Sequence, residues 1–134
     1  MQIRIHICHE RVKDVLDAVI EGVLHHEIGH ALLHGSIEFY TFKFTNRLQE
    51  AARFNGLDLH LLQQCVYFLS MAIKDLEVIQ WLTKIGLGPC QKSLLEYMMK
   101  DTKEEQKAWG VAKQSSVIKK ITMAAFLKII LPIE

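Results

Sequence analysis

Residues 24–34 read Leu24-His25-His26-Glu27-Ile28-Gly29-His30-Ala31-Leu32-Leu33-His34, and whether this run is helical decides both the fold and the chemistry. The apolar positions around it answer that question. Val12, Val15, Leu16, Val19, Ile20, Val23 and Leu24 recur at helical spacing, and Ile28, Ala31 and Leu32 continue the series. No breaker intervenes before Gly35, so the pattern predicts one helix over residues 10–34. Gly22 and Gly29 lie inside it, each at a cost of about 1 kcal/mol relative to Ala. An interior glycine of this kind often lets another element approach closely.

On such a helix His26 and His30 are four residues apart and project from one face. Two neutral imidazoles one turn apart can both reach one zinc ion at about 2.0–2.1 Å. Glu27 projects to the side, toward the open position of the metal, where it can take a proton from water that the metal has acidified. That is the mechanical sense of the spacing His-Glu-x-x-His. Small Gly29 and Ala31 permit close packing around the ion. The competing reading is a polar helical stretch with His30 bonded in the core. His34 continues the four-residue series, but three histidines on one straight helix do not comfortably reach one tetrahedral ion. It is expected in an outer contact or at the surface.

Working outward, residues 2–8 alternate. Ile3, Ile5 and Ile7 point one way and Arg4, His6 and Cys8 the other, the pattern of a half-buried strand. Residues 36–44 are aromatic and β-branched and suggest a second extended segment. Thr45 or Asn46 caps a short helix to about Phe54, Asn55-Gly56 ends it, and Asp58 caps the next. A long apolar helix follows over about 59–85 and stops at Gly86-Leu87-Gly88-Pro89. A further helix spans about 90–100, a solvated charged stretch runs to Lys107, and the tail is helical over about 114–131. The expected fold is mainly α (α+β): one compact helical domain over residues 1–134, with a small strand component and residues 112–134 as a helical tail.

The eleven residues 24–34 closely resemble the active-site helix of zincin metallopeptidases. The layout of strand, long motif helix, aromatic segment and second long helix is similar to the minimal soluble gluzincins, the proabylysin-type minigluzincins. The resemblance implies a peptidase in which His26 and His30 bind zinc and Glu27 is the general base.

Zinc also needs a third protein ligand if one position is to stay open. The second long helix carries Asp75 and Glu77 in an otherwise apolar stretch. An ionised carboxylate buried there requires a partner. A gluzincin affinity favours Glu77, the local pattern favours Asp75, and pairing of both acids with Lys74 or Lys84 is the plain alternative. Glu50, in Leu48-Gln49-Glu50-Ala51-Ala52-Arg53-Phe54, is a rival. It resembles the acidic stretch of the ImmA/IrrE-like peptidases that cleave repressors, although Ala52 stands where that family has Asn. The choice among the three stays open at this point.

The rest of the chain sets bounds. It has 134 residues, with Lys and Arg numbering 16 against 15 Asp and Glu, and so lacks the basic excess of a nucleic-acid binder. Cys8, Cys65 and Cys90 form no C-x-x-C pair and read as reduced, largely buried thiols of a cytoplasmic protein. The first residues lack a signal peptide's apolar core, and no apolar run reaches the roughly 20 residues of a spanning helix. Tyr40 and Tyr67 can donate to an oxyanion or simply pack, and His60 reads as a surface residue. The strand at 2–8 offers an edge for an extended peptide. The tail sets Lys119, Lys120 and Lys128 beside an apolar face, suited to its own core, to self-association, to a membrane surface, or to covering the cleft and keeping the enzyme latent. The partner implied throughout is a peptide or protein substrate. The remaining alternative is a metal-binding scaffold without catalysis.

Overall fold

The computed structural model describes residues 4–100 and 103–130. Its elements in chain order are α1 (His9–Val12), α2 (Asp17–His34), a 3₁₀ turn (Ile37–Tyr40), α3 (Asn46–Phe54), α4 (Leu59–Lys84), α5 (Gly88–Met98), α6 (Lys103–Ala112) and α7 (Ser116–Ile130). The starts of α3 and α4 follow from their caps. Thr45 Oγ1 accepts the Leu48 N–H at 3.3 Å, and Asp58 Oδ1 accepts the Leu61 N–H at 2.8 Å, each satisfying a donor that the first helical turn leaves free. Pro89 lies in the first turn of α5, where a missing N–H costs nothing.

The long helix α4 is the axis of the molecule. α2, α5 and α7 all pack against it, and α2 packs in turn on α5. Ala72, Val78 and Leu82 of α4 are almost wholly buried. The two interior glycines of α2 make these contacts possible. A Cβ at Gly22 would stand 2.5 Å from the Cys90 carbonyl oxygen on α5, and one at Gly29 would stand 2.6 Å from Cγ1 of Val78 on α4. Both contacts are closer than real Cβ atoms tolerate, so glycine sets the distance of α2 from each neighbour.

The expected strand component is absent from the described residues, and the fold is all-helical. Residues 4–8 are irregular, and residues 2 and 3 lie outside the described part. Alternation alone does not make a strand; a ladder needs a second extended segment to pair with. The aromatic segment does not supply one. It coils into the 3₁₀ turn, and Phe39 packs edge-on against His34 with ring centroids 5.0 Å apart. Residues 41–45 form no ladder, although the backbone at Thr41 is extended. The edge proposed for binding a peptide therefore does not exist in residues 4–8.

The single helix expected over 10–34 is also broken, with residues 13–16 forming a turn between α1 and α2. The break folds the N-terminal segment back along α2. Ile5, Ile7, Val12 and Val15 thereby line a cavity together with Val19, Ile20, Val23 and Leu24. Other departures are smaller. Residues 103–112 are helical, and of the three thiols only Cys90 is buried, while Cys8 is exposed. The tail helix α7 packs on α4 and α6. None of its described side chains lines the cavities around Glu27 described below. The side chain of Lys128 and residues 131–134 lie outside the described part. Among the described residues no helix is long and apolar enough to cross a membrane.

Candidate metal centre

Three side chains from two helices converge at the crossing of α2 and α4. His26 and His30 are one turn apart on α2, and Asp75 faces them from α4. The Nε2 atoms of the histidines are 3.1 Å apart. Asp75 Oδ1 is 2.8 Å from Nε2 of His30 and 3.5 Å from Nε2 of His26. Tetrahedral ligands about 2.0–2.1 Å from zinc lie about 3.3–3.4 Å from one another. Two edges of the observed triangle lie within about 0.3 Å of that value and the His30–Asp75 edge is about 0.5 Å short, so the donor set fits one such ion after a small opening of that edge.

The outward nitrogens fix the proton positions. Gln91 of α5, almost fully buried, donates from Nε2 to the Gly22 carbonyl at 3.0 Å. Its Oε1 therefore faces His26 Nδ1, which donates to it at 3.3 Å. On the other side, His34 donates from Nε2 to Glu77 Oε2 at 2.8 Å. Its Nδ1 is thereby an acceptor, and His30 Nδ1 donates to it at 3.4 Å. Both Nε2 atoms thus face the centre of the triangle, where the Asp75 carboxylate accepts from His30 Nε2 at 2.8 Å. A metal ion seated there would take the place of that proton. Outer partners of this kind are what hold metal-binding imidazoles in one tautomer.

Burial pushes the Asp75 carboxyl up, but hydrogen bonds and positive charge from His26 and His30 outweigh it and hold the group at about 2. Asp75 is thus an anion wherever the protein is folded at ordinary pH. Its neighbour Lys74 is buried as well, and its Nζ stands 3.8 Å from the centre of the Tyr40 ring, a cation–π contact. Burial draws the Lys74 ammonium down, against the opposing pull of Asp75.

A cavity of about 470 Å³ opens over this cluster. His26, Glu27, His30, Asp75, Tyr40 and Tyr67 all line it, with Met71, Leu94 and Met98 among its apolar walls. Glu27, His30 and Tyr40 also line the larger cavity of about 640 Å³ bounded by residues 4–8. The Glu27 carboxylate therefore borders two adjoining hollows.

The remaining candidates fall elsewhere. Glu77 serves His34 and does not join the triangle. Glu50 is exposed on α3 and lines neither cavity. His60 is exposed and contacts Gln64. His34 is buried rather than at the surface. Neither Asp75 nor Glu77 pairs with a lysine; both are taken by histidines. Gln91 went unnoticed in the sequence, and Lys74 was read there only as a partner for the two acids. Gln91 lies 65 positions from His26, and no local signal ties the two. A comparison with protein-family models, with curated proteins and with solved structures finds no match, so the reading of the site rests on its own geometry.

Proposed function

We propose that the chain is a zinc-dependent metallopeptidase in which His26, His30 and Asp75 hold the metal and Glu27 is the general base. The observation that carries this reading is the triangle of Nε2, Nε2 and Oδ1 atoms, with the Nδ1 atoms of His26 and His30 engaged by Gln91 and His34 so that each Nε2 faces the centre. Zinc held there would supply Lewis acidity toward a carbonyl and toward water. Glu27, adjacent to His26 and facing the same cavity, accepts a proton from the attacking water and returns it to the leaving amine. The Tyr40 and Tyr67 hydroxyls border the cavity and are the available neutral donors for a developing oxyanion. Lys74 stacks on the Tyr40 ring and restrains it. With no strand edge beside the site, a peptide is held by side chains seated in the two apolar-walled hollows, its backbone crossing at Glu27. Flexible segments fit that geometry better than folded substrates. The repressor-cleaving alternative drew on Glu50 as a ligand, and the position of Glu50 gives it no support.

The test is zinc content and hydrolysis of unstructured peptides by the purified chain. The wild type is expected to hold one zinc per chain more than His26→Ala or Asp75→Ala. Glu27→Gln should keep its zinc and lose activity by about 10²–10⁴-fold. A chain that takes up no zinc, or a Glu27→Gln variant as active as the wild type, would overturn the reading. Zinc without any hydrolysis would leave a metal-binding scaffold.

A further inference from the structure

A second cluster lies on another face of α2. His25 Nδ1 is 3.5 Å from Cys90 Sγ and 3.9 Å from Glu21 Oε1, and the three donor atoms lie within 4.8 Å of one another. We propose that Glu21, His25 and Cys90 form a second metal site, for a soft or borderline divalent cation such as zinc or cadmium. The spacing fits. Bonds of about 2.3 Å to sulfur and about 2.0 Å to nitrogen set those two atoms about 3.5–3.6 Å apart around a tetrahedral ion. The half-exposed Glu21 needs only a small swing to close the nitrogen–oxygen edge. Two helices contribute, Glu21 and His25 from α2 and Cys90 from α5, so the ion bridges elements rather than decorating one. The thiol selects against magnesium and calcium. Its proton, now donated to the Leu87 carbonyl at 3.1 Å, leaves to solvent as the sulfur–metal bond forms. Gln91 Nε2, 3.7 Å from Sγ, points a donor at the resulting thiolate.

The location has a consequence. His25 precedes His26, and Gln91 follows Cys90. An ion joining His25 to Cys90 ties α2 to α5 at the Gly22 crossing, where Gln91 holds His26 in its tautomer. That coupling rests on the metallopeptidase reading; the second site itself does not.

The full chain, stripped with chelator, is titrated with Cd²⁺ while bound cadmium per chain and the ultraviolet thiolate-to-cadmium band are measured. The wild type should take two ions and show the band. Cys90→Ser should take one and lose the band, and His26→Ala should take one and keep it. Cys8 and Cys65 remain in every variant, so a band arising from them persists in Cys90→Ser and overturns the proposal. A wild type that binds one ion without the band overturns it equally. If Cys90→Ser does not fold, His25→Ala decides: all thiols remain, and the band-forming site should weaken about tenfold or more, an unchanged affinity refuting the site. One ion per wild-type chain, with a band that Cys90→Ser removes and His26→Ala spares, supports this site and sinks the metallopeptidase reading.

Discussion

Replacing Gly29 by Ala tests the crossing on which the metal centre depends. In an exposed helix the change stabilises by about 1 kcal/mol, because alanine loses less backbone entropy. Here the new Cβ would stand 2.6 Å from Val78 Cγ1, with Val78 Cβ and Cγ2 both at 3.6 Å. An ordinary contact needs about 3.5–4.0 Å, so a gap of about 1 Å has to open. Val78 cannot open it alone. It is wholly buried, and a valine on a helix has one strongly preferred rotamer. The helices must part, and overpacking of this kind costs about 1–3 kcal/mol. The larger part of that range applies where no side chain yields, which leaves a net loss of about 1–2 kcal/mol. Denaturant unfolding in chelator should read that loss. The decisive comparison is the Val78→Ala background, where the obstructing methyls are gone. There Gly29→Ala should be neutral or stabilising, a coupling of about 2 kcal/mol between the two positions. Because His30 follows Gly29 and Asp75 lies one turn before Val78, the single variant should also bind zinc more weakly. A Gly29→Ala protein more stable than the wild type, or one equally destabilised in both backgrounds, would refute the account.

Three other outcomes follow from the same contacts. Gln91→Leu removes the acceptor for His26 Nδ1 and should weaken zinc binding about 10–100-fold in a chelator competition; an unchanged affinity would deny Gln91 its orienting part. Glu77→Gln should weaken binding less than His34→Phe, since the amide oxygen can still accept from His34 Nε2 while phenylalanine leaves His30 Nδ1 without a partner; the reverse order in calorimetric titration would overturn the relay. In the metal-free protein the Asp75 carboxyl is lowered from 3.8 to about 2, so its contribution to stability, about 2 kcal/mol, is present above about pH 4 and lost as pH falls through about 2. Urea midpoints in chelator should therefore drop over that window in the wild type and stay flatter in Asp75→Asn.

The helices and their caps were legible because each follows from near neighbours. Thr45 and Asp58 sit where the free donors of a first turn need acceptors, and the apolar period of residues 59–84 announces α4. His26, Glu27 and His30 were legible for the same reason, as their relation is one helical turn. The strand at residues 2–8 was misread because alternation is necessary for a ladder but the pairing partner is a tertiary fact. The aromatic run that might have paired finds His34 instead. The break at residues 13–16 escaped notice since the apolar period continues through it; the turn keeps the same residues facing α2 from a folded-back segment. Asp75 and Glu77 could not be separated by position, because both meet histidines of α2. What distinguishes them is which histidine, and that is set by the approach of α4 at Gly29. Gln91 lay beyond reach altogether, since nothing in a glutamine near a helix start indicates a partner across the Gly22 crossing.

The buried charges around the cavity bear on what the triangle holds. Asp75 and Lys74 are buried, whereas Glu27 and Glu77 are exposed and solvated. The buried Asp75 carboxylate needs a positive neighbour at close range, and Lys74 is engaged with the Tyr40 ring. Without a metal that neighbour is the proton on His30 Nε2. A metal ion at the same point would serve Asp75 equally and use both Nε2 lone pairs. The Nδ1 partners are the discriminating feature. An acid–imidazole cluster evolved only for packing has no need to force both histidines into one tautomer, one through a neutral amide tied to the Gly22 carbonyl and the other through a second histidine tied to a carboxylate. Two unlike devices with the same result leave both Nε2 atoms facing one point, the arrangement that the proposed zinc site uses.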